Sequence, residues 1–181
     1  EEHQKYLEKH PGGYCHIGQD KIDRAAKASI DPSPYAKLRP EALRQSLSEL
    51  SYRVTMENAT EKPFSYDFSS NGKGIYVDVT SGEPLFSSED IFEAGCGWPS
   101  FSAPIDPNVV KYEADHTYGM DRIEARSRVG DAHLGHVFND GPPERGGLRY
   151  CINGASLRFI PLENMAEKGY GQLIDPIFGP L

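Results

Sequence analysis

Polar side chains predominate along residues 1–39, and Pro11, Gly12, Gly13, Pro32 and Pro34 interrupt them without the spaced apolar residues of a core-forming element. This stretch reads as an appendage or linker. The segment "RPEALRQSLSEL" follows, with Leu43, Leu47 and Leu50 at helical spacing and Pro40 in a first-turn position, which predicts a short amphipathic helix against the main domain. Beyond Tyr52 the pattern changes to short alternating runs separated by the turn signals "SSNGKG", "TSGEP", "NDGPPERGG" and "NGAS". In "GIYVDVT" the alternation sets Ile75, Val77 and Val79 on one face, and in "SLRFIPL" it groups Leu157 with Phe159. A mainly antiparallel β domain is predicted. In "GGLRYCINGASLRF", residues 146–159, Leu148, Tyr150 and Ile152 share one strand face while Arg149, Cys151 and Asn153 share the other. A half-exposed strand alternates in this way, and a cysteine taken alone is most often inert, so this polar face by itself implies no chemistry.

Composition narrows the picture. A length of 181 residues fits one ordinary domain with an appendage, and 18 Gly with 14 Pro favour turns and short strands over a helical bundle. No stretch approaches the apolar run that a membrane helix needs, and a net charge of −8 argues against a broad nucleic-acid or anionic-membrane surface. The first residue is Glu1, so a fragment of a longer protein is expected.

Three cysteines, Cys15, Cys96 and Cys151, cannot complete an intramolecular disulfide framework, which leaves reactive or metal-binding thiols to consider. Cys96 sits in "EAGCGWPSF" between two glycines that leave its sulfur uncrowded, just before the only tryptophan, Trp98. "GDAHLGHVFNDG" supplies His133, His136 and Asp140. On an uninterrupted strand the two histidines face opposite ways, so both reach one site only if Gly135 bends the chain. Two chemistries fit these parts. A tetrahedral zinc set of Cys96, Cys151, His133 and His136 is one, although the cysteines stand 55 residues apart and not in a C-x-x-C pair. Thiol redox catalysis is the other: one sulfur attacks, becomes a sulfenic acid and is captured by a resolving cysteine, and the disulfide is reduced by an external dithiol. In that case Arg149 and a protonated histidine are expected to favour the Cys151 thiolate.

"GEPLFSS", "GCGWPSF", "DAHLGHVFNDGP" and "GGLRYCINGASLRFIPL", in this order and spacing, resemble B-type peptide methionine sulfoxide reductases, which act on the R epimer of the sulfoxide. The resemblance implies a mainly β (α+β) fold, two antiparallel β-sheets with small peripheral helices. It implies Cys151 as nucleophile, Cys96 as resolving cysteine and thioredoxin as electron donor, with oxidised proteins as substrates and protein repair under oxidative stress as the role. His136, His133 and Asn153 would supply hydrogen bonds to the sulfoxide oxygen, and Arg149 with Asp140 would orient that acid system. Trp98 would receive the ε-methyl group, with Phe138 beside it in the substrate pocket.

Many members of that family hold a structural zinc through two C-x-x-C pairs, but the matching positions here are Asp78, Ser81, Ser127 and Gly130. No structural zinc and no other cofactor are expected. The opening "HQKYLEKHPGGYCHI" resembles the carboxy-terminal end of A-type reductases, where the residue matching Cys15 is a resolving cysteine. The implied layout is an A-domain remnant over 1–18, a linker over 19–38 and the B-type domain over 39–181, with an upstream A-type domain as partner and a bacterial cytoplasmic location expected. The competing class is a non-catalytic Cys/His zinc-binding interaction module.

Overall fold

The computed structural model describes residues 27–180; Cys15 and the stretch expected as the A-domain remnant lie outside them. The helix predicted from residue 39 is two. Pro40–Ser46 forms α1 and Glu49–Glu57 forms α2, because Ser48 turns extended and its Oγ accepts the Ser51 N–H at 3.0 Å, which caps a new helix. The break redistributes the apolar face: Leu43 is fully buried, but Leu50 is 42 % exposed, and α2 buries Val54 and Thr55 instead.

Nine strands follow: β1 (Gly74–Asp78), β2 (Pro84–Ser87), β3 (Ile91–Phe92), β4 (Ser100–Phe101), β5 (Val110–Asp115), β6 (Arg122–Ser127), β7 (His133–Phe138), β8 (Arg149–Ile152) and β9 (Leu157–Pro161). Short helices α3 (Leu162–Met165) and α4 (Ile174–Phe178) close the described chain. All pairings are antiparallel, in a three-stranded sheet ordered β2-β1-β9 and a six-stranded sheet ordered β3-β4-β8-β7-β6-β5. The two-sheet, mainly β architecture with small helices is the one expected.

Both sheets contribute to one core. Phe86 of β2 stacks on Phe101 of β4 with ring centroids 4.4 Å apart, and Tyr76 of β1 meets Phe101 edge-on at 5.2 Å. Burying an aromatic or aliphatic side chain of this size stabilises by roughly 1.5–3 kcal/mol, which holds strands as short as β3 and β4 where two residues of pairing would not. Alternation understated β1, whose five residues are all buried, because it is the central strand of its sheet and is covered on both faces.

The described part of the expected linker is docked. Ile30 is buried in the core at 6 % exposure, its N–H donates to Asp106 Oδ2 at 2.7 Å, and its carbonyl accepts from Arg128. Tyr35 stacks on Tyr170, and the Leu38 N–H donates to the Thr80 carbonyl. Residues 27–38 therefore pack as part of the β domain. Among the described residues no helix is long and apolar enough to cross a membrane.

Candidate active site

Strands β4, β8 and β7 lie side by side in the six-stranded sheet, and their register pairs Cys151 with Ser100 on one side and His136 on the other. Directly opposed antiparallel residues point to the same face. Tyr150, Ile152 and Val137 fill the core, so the alternation puts Arg149, Cys151, His136 and Phe138 together on the outer face. Gly135 is required by proximity: a Cβ built there would fall 2.0 Å from the Cys151 carbonyl oxygen.

The two histidines do share a face, but the bend has a different source. Ala125 pairs with Gly135 and Arg126 with His133, so Leu134 is the extra residue of a β-bulge, and it resets the alternation. The His133 and His136 rings meet edge-on with centroids 5.7 Å apart.

Cys96 lies on the turn before β4, between Gly95 at φ 71° and Gly97 at φ 91°. That backbone brings its Sγ to 3.9 Å from Cys151 Sγ and 3.4 Å from Ser100 Oγ. Both thiols are free. A disulfide needs about 2.05 Å between the sulfurs, so closure brings them roughly 2 Å nearer to each other.

Of the two charges expected to favour a Cys151 thiolate, that of Arg149 acts in this direction, but burial outweighs it. Burial, reinforced by the neighbouring Cys96, pushes the Cys151 thiol up to about 12 against the pull of Arg149. His136 is held below its ordinary value, chiefly by burial, and is neutral near pH 7. At Cys96 burial also acts upward, but hydrogen bonds from Ser100, the Trp98 backbone and the Cys151 thiol, with the Arg149 charge, bring it below a free thiol. Alkylation of reduced protein near neutral pH should therefore label Cys96 first. Labelling of Cys151 should rise about tenfold per pH unit, because only the thiolate reacts. Peptide mapping that finds Cys151 modified first at pH 7 would reject this order.

Two carboxylates absent from the sequence expectations complete the site. His136 Nε2 lies 2.7 Å from Asp115 Oδ2, at the end of β5, and His133 Nδ1 bonds Glu124 Oε2 on β6. Burial works against both charges, but the hydrogen bond from His136 and those from Thr117 hold Asp115 well below the usual carboxylate range, and His133 with Arg126 lowers Glu124. A neutral His136 facing a carboxylate carries its proton on Nε2, which leaves Nδ1 as an acceptor. Glu124 stands directly opposite His136 in the β6–β7 register, a placement that only strand pairing reveals. Asp115 reaches His136 from two strands away, and no local spacing announces it.

Arg149 and Asp140 form a two-pronged ion pair at 2.9 and 3.2 Å, and the guanidinium lies 4.4 Å from the Phe138 ring centre. Trp98 is half-buried and its Nε1 donates to the Glu61 carbonyl at 3.1 Å. Asn153 follows the end of β8 and is buried. Its Nδ2 donates to the Leu134 carbonyl and its Oδ1 accepts the Glu61 N–H, so the amide ties the bulge to the segment that steadies Trp98.

The positions that match the zinc ligands converge, yet they do not fit the metal. Asp78 accepts hydrogen bonds from Thr80 and Ser81, and Ser127 Oγ accepts the Ala132 N–H. A Cβ on Gly130 would fall 2.4 Å from Asp78 Oδ2 and 2.1 Å from Thr80 Oγ1, so oxygen ligands and hydrogen bonds fill the place of four thiolates. Among the described residues no group of three or more His, Cys, Asp or Glu side chains is arranged to hold a metal ion.

A family model described as the SelR domain matches residues 47–161, more than half of the chain, from the joint between α1 and α2 to the end of β9. Both cysteines, both histidines, Trp98 and the Arg149–Asp140 pair lie inside that span, and the chain belongs to the SelR-domain family, the B-type methionine sulfoxide reductases, oxidoreductases that reduce methionine sulfoxide.

Proposed function

We propose that the chain reduces the R epimer of methionine sulfoxide, in proteins and more weakly as the free amino acid, with Cys151 as nucleophile and Cys96 as resolving cysteine. The observation that carries this reading is the 3.9 Å separation of the two sulfurs across the outer face of β8. Cys151 Sγ attacks the sulfoxide sulfur, forming an S–S bond as the sulfoxide oxygen takes up the thiol proton; that hydroxyl then passes to Cys151 Sγ as the S–O bond breaks, and the S–S bond breaks with its electron pair on the methionine sulfur, leaving methionine and a Cys151 sulfenic acid. Cys96 Sγ then attacks that sulfur, water leaves, and the Cys96–Cys151 disulfide remains. External reduction of the disulfide, by thioredoxin, restores both thiols.

A resting thiol at Cys151 makes the proton path part of the reaction. His136, neutral and with Nδ1 open as an acceptor, takes the thiol proton and passes it to the sulfoxide oxygen, and Asp115 and Glu124 hold the two imidazoles in orientation. His133, held by Glu124, packs edge-on against the His136 ring and keeps that imidazole in place. Arg149, held by Asp140, supplies positive charge beside both sulfurs, and Asn153 acts by fixing the bulge behind them. Trp98 and Phe138 receive the methyl-sulfur end of the substrate.

Hydrogen bonds within each turn, Ser81 to Asp78 in one and the Ala132 N–H to Ser127 in the other, stand in place of a structural zinc. Residues 1–18 belong to the end of an A-type reductase domain that would precede this one in a fused enzyme acting in protein repair, located in the bacterial cytoplasm; Cys15 then has no part in the chemistry of Cys96 and Cys151.

Cys96→Ser tests the division of labour. With Cys151 intact, mixing with excess sulfoxide should release about one methionine per protein in a burst and then stall at the sulfenic acid when thioredoxin is the only reductant. Steady turnover with thioredoxin at the unmodified rate would remove Cys96 from the resolving role.

A further inference from the structure

Three adjoining hollows run outward from Cys96. The first, about 490 Å³, is lined by Cys96, Arg149, Phe92 and Glu93; the second, about 230 Å³, by Gly97, Phe64, Phe68 and Glu93; the third, about 380 Å³, by Phe68, Tyr76, Phe92 and Glu93. Glu93 is common to all three, so they form one open groove whose first section contains the resolving sulfur. An open groove of this size beside the reducing pair has room for the residues that neighbour a methionine sulfoxide in a polypeptide.

Phe64 is the anomalous residue of this surface. It is 78 % exposed and holds φ at 63°, a conformation that costs a bulky side chain on the order of 1–3 kcal/mol. The contacts that keep it there belong to the active-site turn: its N–H donates to the Gly97 carbonyl at 2.7 Å, and its ring edge lies 3.0 Å from where a Gly97 Cβ would stand. Backbone strain that presents an apolar ring to solvent beside reactive groups is the arrangement of a contact surface. Charge adds direction. Asp140 is paired with Arg149, and Glu89 lies 3.9 Å from Lys73, whereas the exposed Glu93 has the Gly95 N–H as its hydrogen-bond partner.

We propose that this groove binds the polypeptide flanking an oxidised methionine, seating an apolar neighbour against Phe64 and Phe68 and disfavouring acidic neighbours through Glu93. The inference rests on the reading of Cys96 and Cys151 as the reducing pair. It concerns which oxidised sites are repaired fastest, and its occupant is the substrate chain itself, continuous with the residue being reduced.

The test compares kcat/KM for acetylated methionine-R-sulfoxide with that for short peptides whose sulfoxide is flanked by leucine, lysine or glutamate. The wild-type protein should prefer leucine- and lysine-flanked peptides over glutamate-flanked ones by about tenfold. Phe64→Ala should lower the ratio of leucine-peptide to free-sulfoxide kcat/KM about tenfold, and Glu93→Gln should abolish the preference for lysine over glutamate. A ratio unmoved by Phe64→Ala overturns the proposal, as does a wild-type protein indifferent to the flanking residues; the latter measurement needs no variant to fold. A wild-type protein that reduces neither class of substrate would instead remove the reading of the cysteine pair.

Discussion

Cys151→Ser should lower steady-state reduction of methionine sulfoxide by at least about a thousandfold, with dithiothreitol or thioredoxin as reductant. A serine hydroxyl is nearly the size of the thiol, so the strand geometry survives, but oxygen cannot accept the sulfoxide's oxygen as a sulfur does. Structure separates this residue from Cys96. Cys151 is fixed within β8 between β4 and β7, beside His136 and Arg149, whereas Cys96 stands on a turn whose two flanking glycines have positive φ. A sulfur on a strand can hold the oxidised intermediate in place. A sulfur on such a turn can travel the last distance to it. Chromatography of released methionine, with circular dichroism to show an intact β fold, measures the effect. Retention of more than about a tenth of the activity would transfer the nucleophile's role elsewhere.

How much of this site the sequence carried depends on the range of the interaction. The alternation in "LRYCI" put Arg149 and Cys151 on one face because β8 is a regular strand, and the glycines around Cys96 marked a turn correctly. The shared face of His133 and His136 depended on an extra residue, Leu134, whose bulge is defined only by pairing with β6. A residue count along one strand cannot reveal it. Asp115 and Glu124 were missed for the same reason, since their value lies in cross-strand placement. A sequence displays nearby charge and hides burial: Arg149 does pull the Cys151 thiol downward, but burial outweighs it. At the helix, the leucine spacing runs across Ser48, where a side-chain cap begins a second helix.

Gly135→Ala should be strongly destabilising, costing about 3–5 kcal/mol of stability. The added methyl would lie 2.0 Å from the Cys151 carbonyl oxygen and 3.0 Å from the Ile152 Cα, all backbone atoms in the middle of the six-stranded sheet. No rotamer change can relieve such a contact; β7 must part from β8. Gly146→Ala supplies the comparison. Gly146 has φ at 103° and nothing within 4 Å of its would-be Cβ, so that variant pays only the conformational penalty of about 1–2 kcal/mol. Urea denaturation of the two should separate them by at least about 1 kcal/mol. The loss would extend to chemistry, because the strand that shifts carries His136, and a displacement of about 1 Å between reacting groups can cost a hundredfold in rate. Equal stabilities for the two variants would show that β7 and β8 can separate at little cost, and the close approach that sets Cys151 beside His136 would then have no role in holding the site.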